Sequence, residues 1–571
     1  MFSSLKDWLD ERTGYREIVD HALNEPVLGG ASFAYVFGSV LTFILVSQFL
    51  TGILLATVYS PSVTDAWASV AYIQDQVPGG WFVRGLHSYG ATFMVIFCIL
   101  HLLQTSIYGA YKKPRELNWI IGVVLMLLML GFALTGYLLP WDQKGYWATQ
   151  VATGIAGSAP VIGGATQTLL IGGSRYGNLT LTRFFALHVF VLPILTIGLL
   201  SLHLLVFRRA GATPPWWKSK EKLEKATEPF WPKQLSKDMI AMGVVLLGLV
   251  GIVYYFHGTE LGAPADPASQ FEARPEWYFR PLFQMLKYFE GHMELVVALG
   301  APAVIVGFLM ALPFLDRGES RSPKKRIIWL GMLFGGLLGT AFLTWISIDG
   351  DRKNKRVQEN NKIWEEKAEH ARHLAKTYGV PAEGGLHVYE MEPGFKAREI
   401  WKKECALCHE GDKRSAPLIA DGYNSRAWFK DFLHKPSGDL YFGLTDITGM
   451  PKSNLNEEDE KAVIEWLYSE TGAKDADSEL AKKGLAAFEE SDCSNCHSAD
   501  GETDDEIGPN LGGRGSISML KKFIADPDHP LWFGDDNEMP KLGPFSDTEL
   551  EQLAIQIQNL SKAAWTHKSS K

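Results

Sequence analysis

Seven apolar runs dominate this chain, near residues 33–58, 86–108, 119–139, 184–207, 239–257, 294–315 and 327–348. Each is long enough to cross a bilayer, which takes ~20 helical residues. In hydrocarbon every backbone N–H and C=O must be satisfied within the segment, so runs of this kind predict helices. The fold class expected is therefore all-α, a seven-span transmembrane helix bundle with helical soluble segments after it. A hydrophobic share of 47% with 18 Trp fits a chain that is part membrane and part soluble.

The spans divide the chain. Residues 1–32 are charged and amphipathic and read as an interfacial helix rather than a cleaved leader. Residues 33–225 hold four spans and 226–349 three more. Residues 350–389 are charged and helical in pattern, a stalk with no apolar face wide enough for a membrane. Two segments of soluble composition follow, 390–472 and 473–571.

Charge sets the expected orientation. Lys112, Lys113 and Arg115, then Arg208, Arg209, Lys218, Lys220 and Lys222, then Arg317, Arg321, Lys324, Lys325 and Arg326 load alternate connections, whereas 59–83 has no basic residue. By the positive-inside rule the N-terminus and these loops face the cytoplasm, and seven spans leave the C-terminal segments on the outer side of a bacterial inner membrane. Residues 396–571 carry about −12 of charge, within a net −9 for the whole chain. Acidic clusters at Glu457–Glu460 and Asp504–Glu506 are solvated faces or could steer a basic redox partner. No nucleic-acid partner is expected.

Each soluble segment opens with Cys-x-x-Cys-His: Cys405, Cys408 and His409, then Cys493, Cys496 and His497. This is the attachment pattern of a c-type haem, in which two thiols bond the porphyrin and the histidine ligates iron. Met450-Pro451 and Met539-Pro540 follow at similar distances, and a thioether is the usual second ligand. The segments thus read as repeats of one small cytochrome c-like domain, each with a covalent His/Met haem; Met519 and His434 are rival ligands. Cys98, the remaining cysteine, reads as a small buried hydrophobe.

Inside the membrane, the second span holds His87 and His101 and the fourth holds His188 and His203. Spacings of this size are close to four helical turns, so each pair faces one way, roughly 21–22 Å apart along the axis. Two such helices can clamp two haems, one above the other, each between two imidazoles. Intramembrane histidine is a functional signal in its own right. Gly38 and Gly52 in the first span, and Gly122 and Gly136 in the third, repeat the interval. They read as floors that let a flat macrocycle approach the backbone, or as helix-packing glycines.

Across roughly residues 1–348 the chain resembles the cytochrome b of quinol-oxidising bc and b6f complexes. The strings are Arg84-Gly85-Leu86-His87, Gly136-Tyr137-Leu138-Leu139-Pro140-Trp141, Leu181-Thr182-Arg183-Phe184-Phe185-Ala186-Leu187-His188 and Pro275-Glu276-Trp277-Tyr278. The resemblance implies two bis-histidine b haems, His87 with His188 near the outer face and His101 with His203 near the inner. It gives Arg84 and Arg183 as partners of haem propionates, or else topological anchors. The spacing in the fourth span and Trp141–Trp147 look more like the b6f branch, with its two chains fused here; Val36 stands where that branch has a haem-anchoring cysteine.

The same resemblance implies a function. Glu276 is expected to take a proton from quinol at an outer pocket, and Tyr278 to hydrogen-bond the quinone. Asp20, Arg208, Lys237 and Asp238 border an inner quinone site or anchor the interface. The chain is expected to be a subunit of a quinol:cytochrome c oxidoreductase that bifurcates electrons and translocates protons. Its partners would be a separate Rieske iron–sulfur protein, membrane quinone, a c-type electron acceptor and a second copy of the complex. A passive haem conduit, or the membrane anchor of a dehydrogenase, is the rival reading.

Overall fold

The computed structural model describes residues 2–447, 449–503, 507–533 and 537–567, in two compact units, Met1–Tyr389 and Glu390–Lys571. Asp504, Asp505 and Glu506 of the second acidic cluster lie outside the described residues.

In the first unit, seven helices are long and apolar enough to span a membrane among the described residues. Their order is α1 (Val36–Ala56), then α2 (Asp65–Asp75) outside the spans, α3 (Gly80–Tyr108) and α4 (Glu116–Tyr137). The fourth span is built from α5 (Asn178–Ala186), a π-helical turn at Leu187–Val191, and α6 (Leu192–Ala210). The last three are α7 (Leu235–Tyr255), α8 (His292–Leu315) and α9 (Ile327–Lys353). Large apolar side chains such as Ile194, Leu205, Leu247 and Ile327 point outward from them, the face that lipid covers.

Packing joins the spans through small clusters. Val36, Val40 and Ile44 of α1 meet Val245 of α7. Trp119 and Val123 of α4 meet Leu309 and Leu312 of α8 and Leu333 of α9. The N-terminal amphipathic segment forms two helices, Phe2–Thr13 and Tyr15–Leu23. A two-residue antiparallel ladder, Pro26 opposite Pro229 and Val27 opposite Glu228, ties the chain after them to the start of the fifth span.

The charged stretch expected to be a stalk packs back instead. Helix α10 (Lys355–Tyr378) buries Ala371, Leu374 and Ala375 against Trp67, Val70 and Ala71 of α2, with Leu261 and Val388 closing the cluster. Its apolar stripe is one narrow row of mostly small residues. That is too little for a membrane, yet enough to seat one indole.

A polar knot closes the end of the bundle that carries the basic loops. Lys112 Nζ donates to Asp316 Oδ1 at 2.6 Å and to the Gly318 carbonyl at 2.6 Å. Tyr111 Oη donates to Asp316 Oδ2 at 2.6 Å, and Arg326 donates to Tyr111 Oη and to the Ser106 and Ile107 carbonyls. All four side chains are buried. The knot joins the four-span part to the three-span part. Removing one partner of such a pair strands the other charge, which costs about 3–5 kcal/mol. Asp316→Asn and Lys112→Met are therefore expected to lower the thermal denaturation midpoint of the solubilised protein, whereas Lys353→Met, in an exposed pair with Asp349, should leave it unchanged.

The second unit contains α11 (Phe395–Ile400), α12 (Arg426–His434), α13 (Glu457–Glu470), α14 (Ser478–Glu489), α15 (Ile517–Ala525) and α16 (Asp547–Leu560). The expected boundary at 472/473 does not separate two bodies, since residues 390–571 form one compact unit.

Candidate electron-transfer and quinol site

The four histidines of the spans are brought together around one cavity of about 1140 Å³, which runs between α1, α3, α4 and the fourth span. His87 of α3 faces His188 with ring centroids 6.2 Å apart and planes at 75°. Two metal–imidazole bonds of about 2.0 Å plus two ring half-widths of roughly 1.1 Å come to the same separation. That is the separation a single metal ion between the two rings would need.

The outer ring nitrogens are also specified. Thr51 Oγ1 donates to the Ser47 carbonyl at 2.7 Å, and Thr135 Oγ1 to the Gly131 carbonyl at 2.8 Å. Each hydroxyl proton is thus committed, so each oxygen is free to accept from an imidazole. Thr51 lies 3.0 Å from His87 Nδ1 and Thr135 3.1 Å from His188 Nδ1. The proton sits on Nδ1, and the Nε2 lone pair is left for a metal. At the other end His101 Nδ1 and His203 Nδ1 are buried with no hydrogen-bond partner among the described residues.

The glycines make room for the imidazoles. A Cβ on Gly136 would stand 2.6 Å from His188 Cε1, and one on Gly52 3.1 Å from His87 Cε1. On Gly122 it would stand 3.4 Å from His203 Cε1, and on Gly38 3.5 Å from His101 Cε1. So α1 receives both histidines of α3, and α4 both histidines of the fourth span. The extra residue in the His188–His203 interval is absorbed by the π-turn at Leu187–Val191, which carries His188. An inserted residue of this kind re-aims a side chain without breaking the helix.

Charged groups cap the cavity. Arg84 lines it, but its guanidinium donates to Gln74 Oε1 and to the Thr259 and Glu260 carbonyls, holding the loop after α7. Arg183 is not on the lining; it packs against Gly172. Two cations that the motifs do not single out, Lys144 and Arg115, do line the cavity. Arg115 Nε and Asn118 Oδ1 are buried without partners, which marks that end as built for a further polar group. Their sequence signal is only a polar residue pair at the head of a span.

Glu276 and Tyr278 line the same cavity beside Tyr137, which lies against both. Burial, then the nearby Glu276 carboxylate, raises the pKa of Tyr278, so it stays a neutral donor. Of the inner candidates, Arg208 lines the cavity and is ion-paired to Glu25. Asp238 is buried behind the wall, accepting from Ser39 Oγ at 3.0 Å and Gln234 Nε2 at 2.8 Å, and Ser39 lines the cavity. Lys237 stacks over Phe33, and Asp20 accepts from Asn24 outside the cavity. Tyr35, next to Val36, and Cys98 are on the lining.

In the second unit His409 Nδ1 faces the Pro417 carbonyl at 2.8 Å, and His497 Nδ1 the Pro509 carbonyl at 2.8 Å. Each motif histidine thereby has its Nδ1 engaged by a backbone carbonyl, the arrangement that assigns ligation, where it occurs, to Nε2.

The core of the membrane bundle is thus a shaft lined by one opposed pair of imidazoles, His87 and His188, and by His101 and His203. The model of the family Cytochrome b/b6/petB matches residues 23–211, and that of Cytochrome b(C-terminal)/b6/petD matches 264–357. Cytochrome b of Rhodobacter capsulatus is 36% identical over 374 residues, 60% of this chain and 84% of the relative. The menaquinol:cytochrome c reductase cytochrome b subunit of Geobacillus thermodenitrificans is 44% identical over 223 residues, 38% of this chain and all of the relative. A solved structure titled hyperthermophilic respiratory Complex III aligns with TM-score 0.53 and 28% identity over 67% of this chain and 99% of that one. The chain belongs to the cytochrome b family, and membership implies b-type haems.

Asp142 stands at the edge of the same cavity, accepting from Gly145 N at 2.8 Å and Gly262 N at 3.2 Å. Burial raises its pKa, and the Gly145 and Gly262 amides and the Lys144 and Arg84 charges oppose that. A raised native pKa means the folded state holds the proton more tightly than the unfolded one. Stability is thus lost as pH rises from the ordinary carboxylate range through the native value. Asp142→Asn is expected to flatten that part of the curve of denaturation midpoint against pH.

Proposed function

We propose that the chain is the cytochrome b and c subunit of a quinol:cytochrome c oxidoreductase, oxidising quinol where Glu276 and Tyr278 line the cavity. The observation that carries this is the continuity of one cavity from the opposed His87 and His188 rings to that carboxylate and phenol. His87 with His188, and His101 with His203, would hold two b haems; Cys405, Cys408 and His409, and Cys493, Cys496 and His497, would hold two c haems, with Met450 and Met539 as thioether ligands. Haem iron with such ligands supplies one-electron transfer.

This chain's residues supply the rest. Quinol gives up two electrons and two protons on becoming quinone. Glu276 accepts a proton from one hydroxyl and passes it to water; the second hydroxyl proton also leaves to water, and the oxygen it leaves behind accepts a hydrogen bond from Tyr278. Tyr137 holds both in register. The two electrons leave by different routes, one to a Rieske iron–sulfur protein on the outer side, the other across the membrane. There Arg208 and Asp238 border the site where quinone is reduced and protons are taken up. Proton release outside and uptake inside make the reaction translocating. The complex is placed in a bacterial inner membrane as a homodimer, N-terminus inward and the C-terminal unit outward, passing electrons to a c-type acceptor.

Two measurements test this. Glu276→Gln is expected to lower quinol-dependent turnover by about 10²-fold with haem content unchanged, the range for loss of a positioned base. With the inner site inhibited and quinol in excess, an oxidant pulse to the c haems should make the b haems more reduced. If they oxidise together instead, the haems form one series and the chain is a passive conduit.

A further inference from the structure

The second unit is not assembled as two beads on a string. Helix α11 enters the first motif through a π-turn at Trp401–Cys405. Its buried face, Ala397, Trp401 and Cys405, packs on Leu553, Ala554 and Ile557 of α16 and on Leu520 and Ile524 of α15. Both partners belong to the second repeat. Helix α14, which enters the second motif, crosses α13 of the first repeat. There Gly484 leaves so little room that a Cβ would stand 2.0 Å from the Ala462 carbonyl, and Phe488 lies 4.7 Å from Trp466.

The cause is the connection. Only residues 471–477 separate α13 from α14, and so short a turn makes sequential helices antiparallel neighbours. Once α14 covers α13, the C-terminal helix left for α11 is α16. The chain then crosses between cores after each motif. Ile419 faces the α16 core, Leu418 the α13 core, and Tyr423 touches both.

The loops that carry the methionines share in the same exchange. Met450 packs on the core that holds Cys493, and Asn454 Nδ2 donates to Asp492 Oδ2 at 3.2 Å, beside the second motif. Leu542 and Phe545, just past Met539, pack on the core that holds Cys405.

Resting on the reading of both motifs as haem sites, we infer that the two c-haem sites are reciprocally shared between the repeats. The haem on Cys405, Cys408 and His409 takes its thioether from Met539, and the haem on Cys493, Cys496 and His497 takes its from Met450. Neither site is complete within one repeat.

The test uses the full chain in its complex. Peptide mass spectrometry first establishes covalent haem at each motif; a chain with none overturns both the reading and the inference. Cys493→Ala with Cys496→Ala then leaves a single c haem, on Cys405 and Cys408. In that background Met539→Leu should abolish the thioether-to-iron charge-transfer band and lower the potential of the c haem, and Met450→Leu should leave both. The opposite pattern overturns the exchange. The unmutated chain provides a check that needs no refolding. Lys396 of α11 lies close enough to Glu549 of α16 to act on its charge, so a zero-length carbodiimide cross-link should join them. Links from Lys396 only to the acidic first turn of α13 would overturn the inference.

Discussion

An imidazole buried among apolar helices has two nitrogens to satisfy, and for His87 and His188 the bundle satisfies only one. Thr51 of α1 and Thr135 of α4 accept from Nδ1 of His87 and His188 because their own hydroxyl protons already serve the preceding turn. The second nitrogen of each ring is aimed across the shaft at its opposite number. Unpaired polar atoms inside a membrane protein are costly, so the bundle makes sense only around a group that accepts both. The glycines, the π-turn and the width of the shaft all come from keeping those rings opposed.

Polar ties around the shaft fall at its ends, where loops meet helices. Arg84 spends its donors on the carbonyls after α7, and the knot of Lys112, Tyr111, Asp316 and Arg326 locks the three-span part to the four-span part. These contacts bring the loop with Glu276 and Tyr278 to the same cavity as the histidines.

Much of this is legible in the chain. Run length marks the spans, because hydrocarbon admits no other backbone solution. The histidine and glycine intervals show which helices share a shaft. Less legible is how the fourth span keeps His188 and His203 on one face. A π-turn leaves no mark in the pattern of apolar residues. Lys144 and Arg115 do not stand out as lining residues, because a cation near a span end looks like any interfacial anchor. The charged helix α10 reads as a free stalk because its seam is a row of alanines with one leucine, whose meaning depends on Trp67 lying opposite.

The sequence by itself determined the helical class, the seven apolar spans, the histidine and glycine intervals within them and the motif-to-methionine order of each soluble segment. These depend on local chemistry and on periodicity within one segment. Only the tertiary structure decided which surfaces those segments use. It set the glycines against imidazole edges, turned Arg84 toward backbone carbonyls, and packed the first helix of each soluble repeat on the last helix of the other. Partner choice between similar helices turns on connection length and close crossings such as Gly484 on α13. Those are relations between distant parts of the chain, and no single stretch of residues contains them.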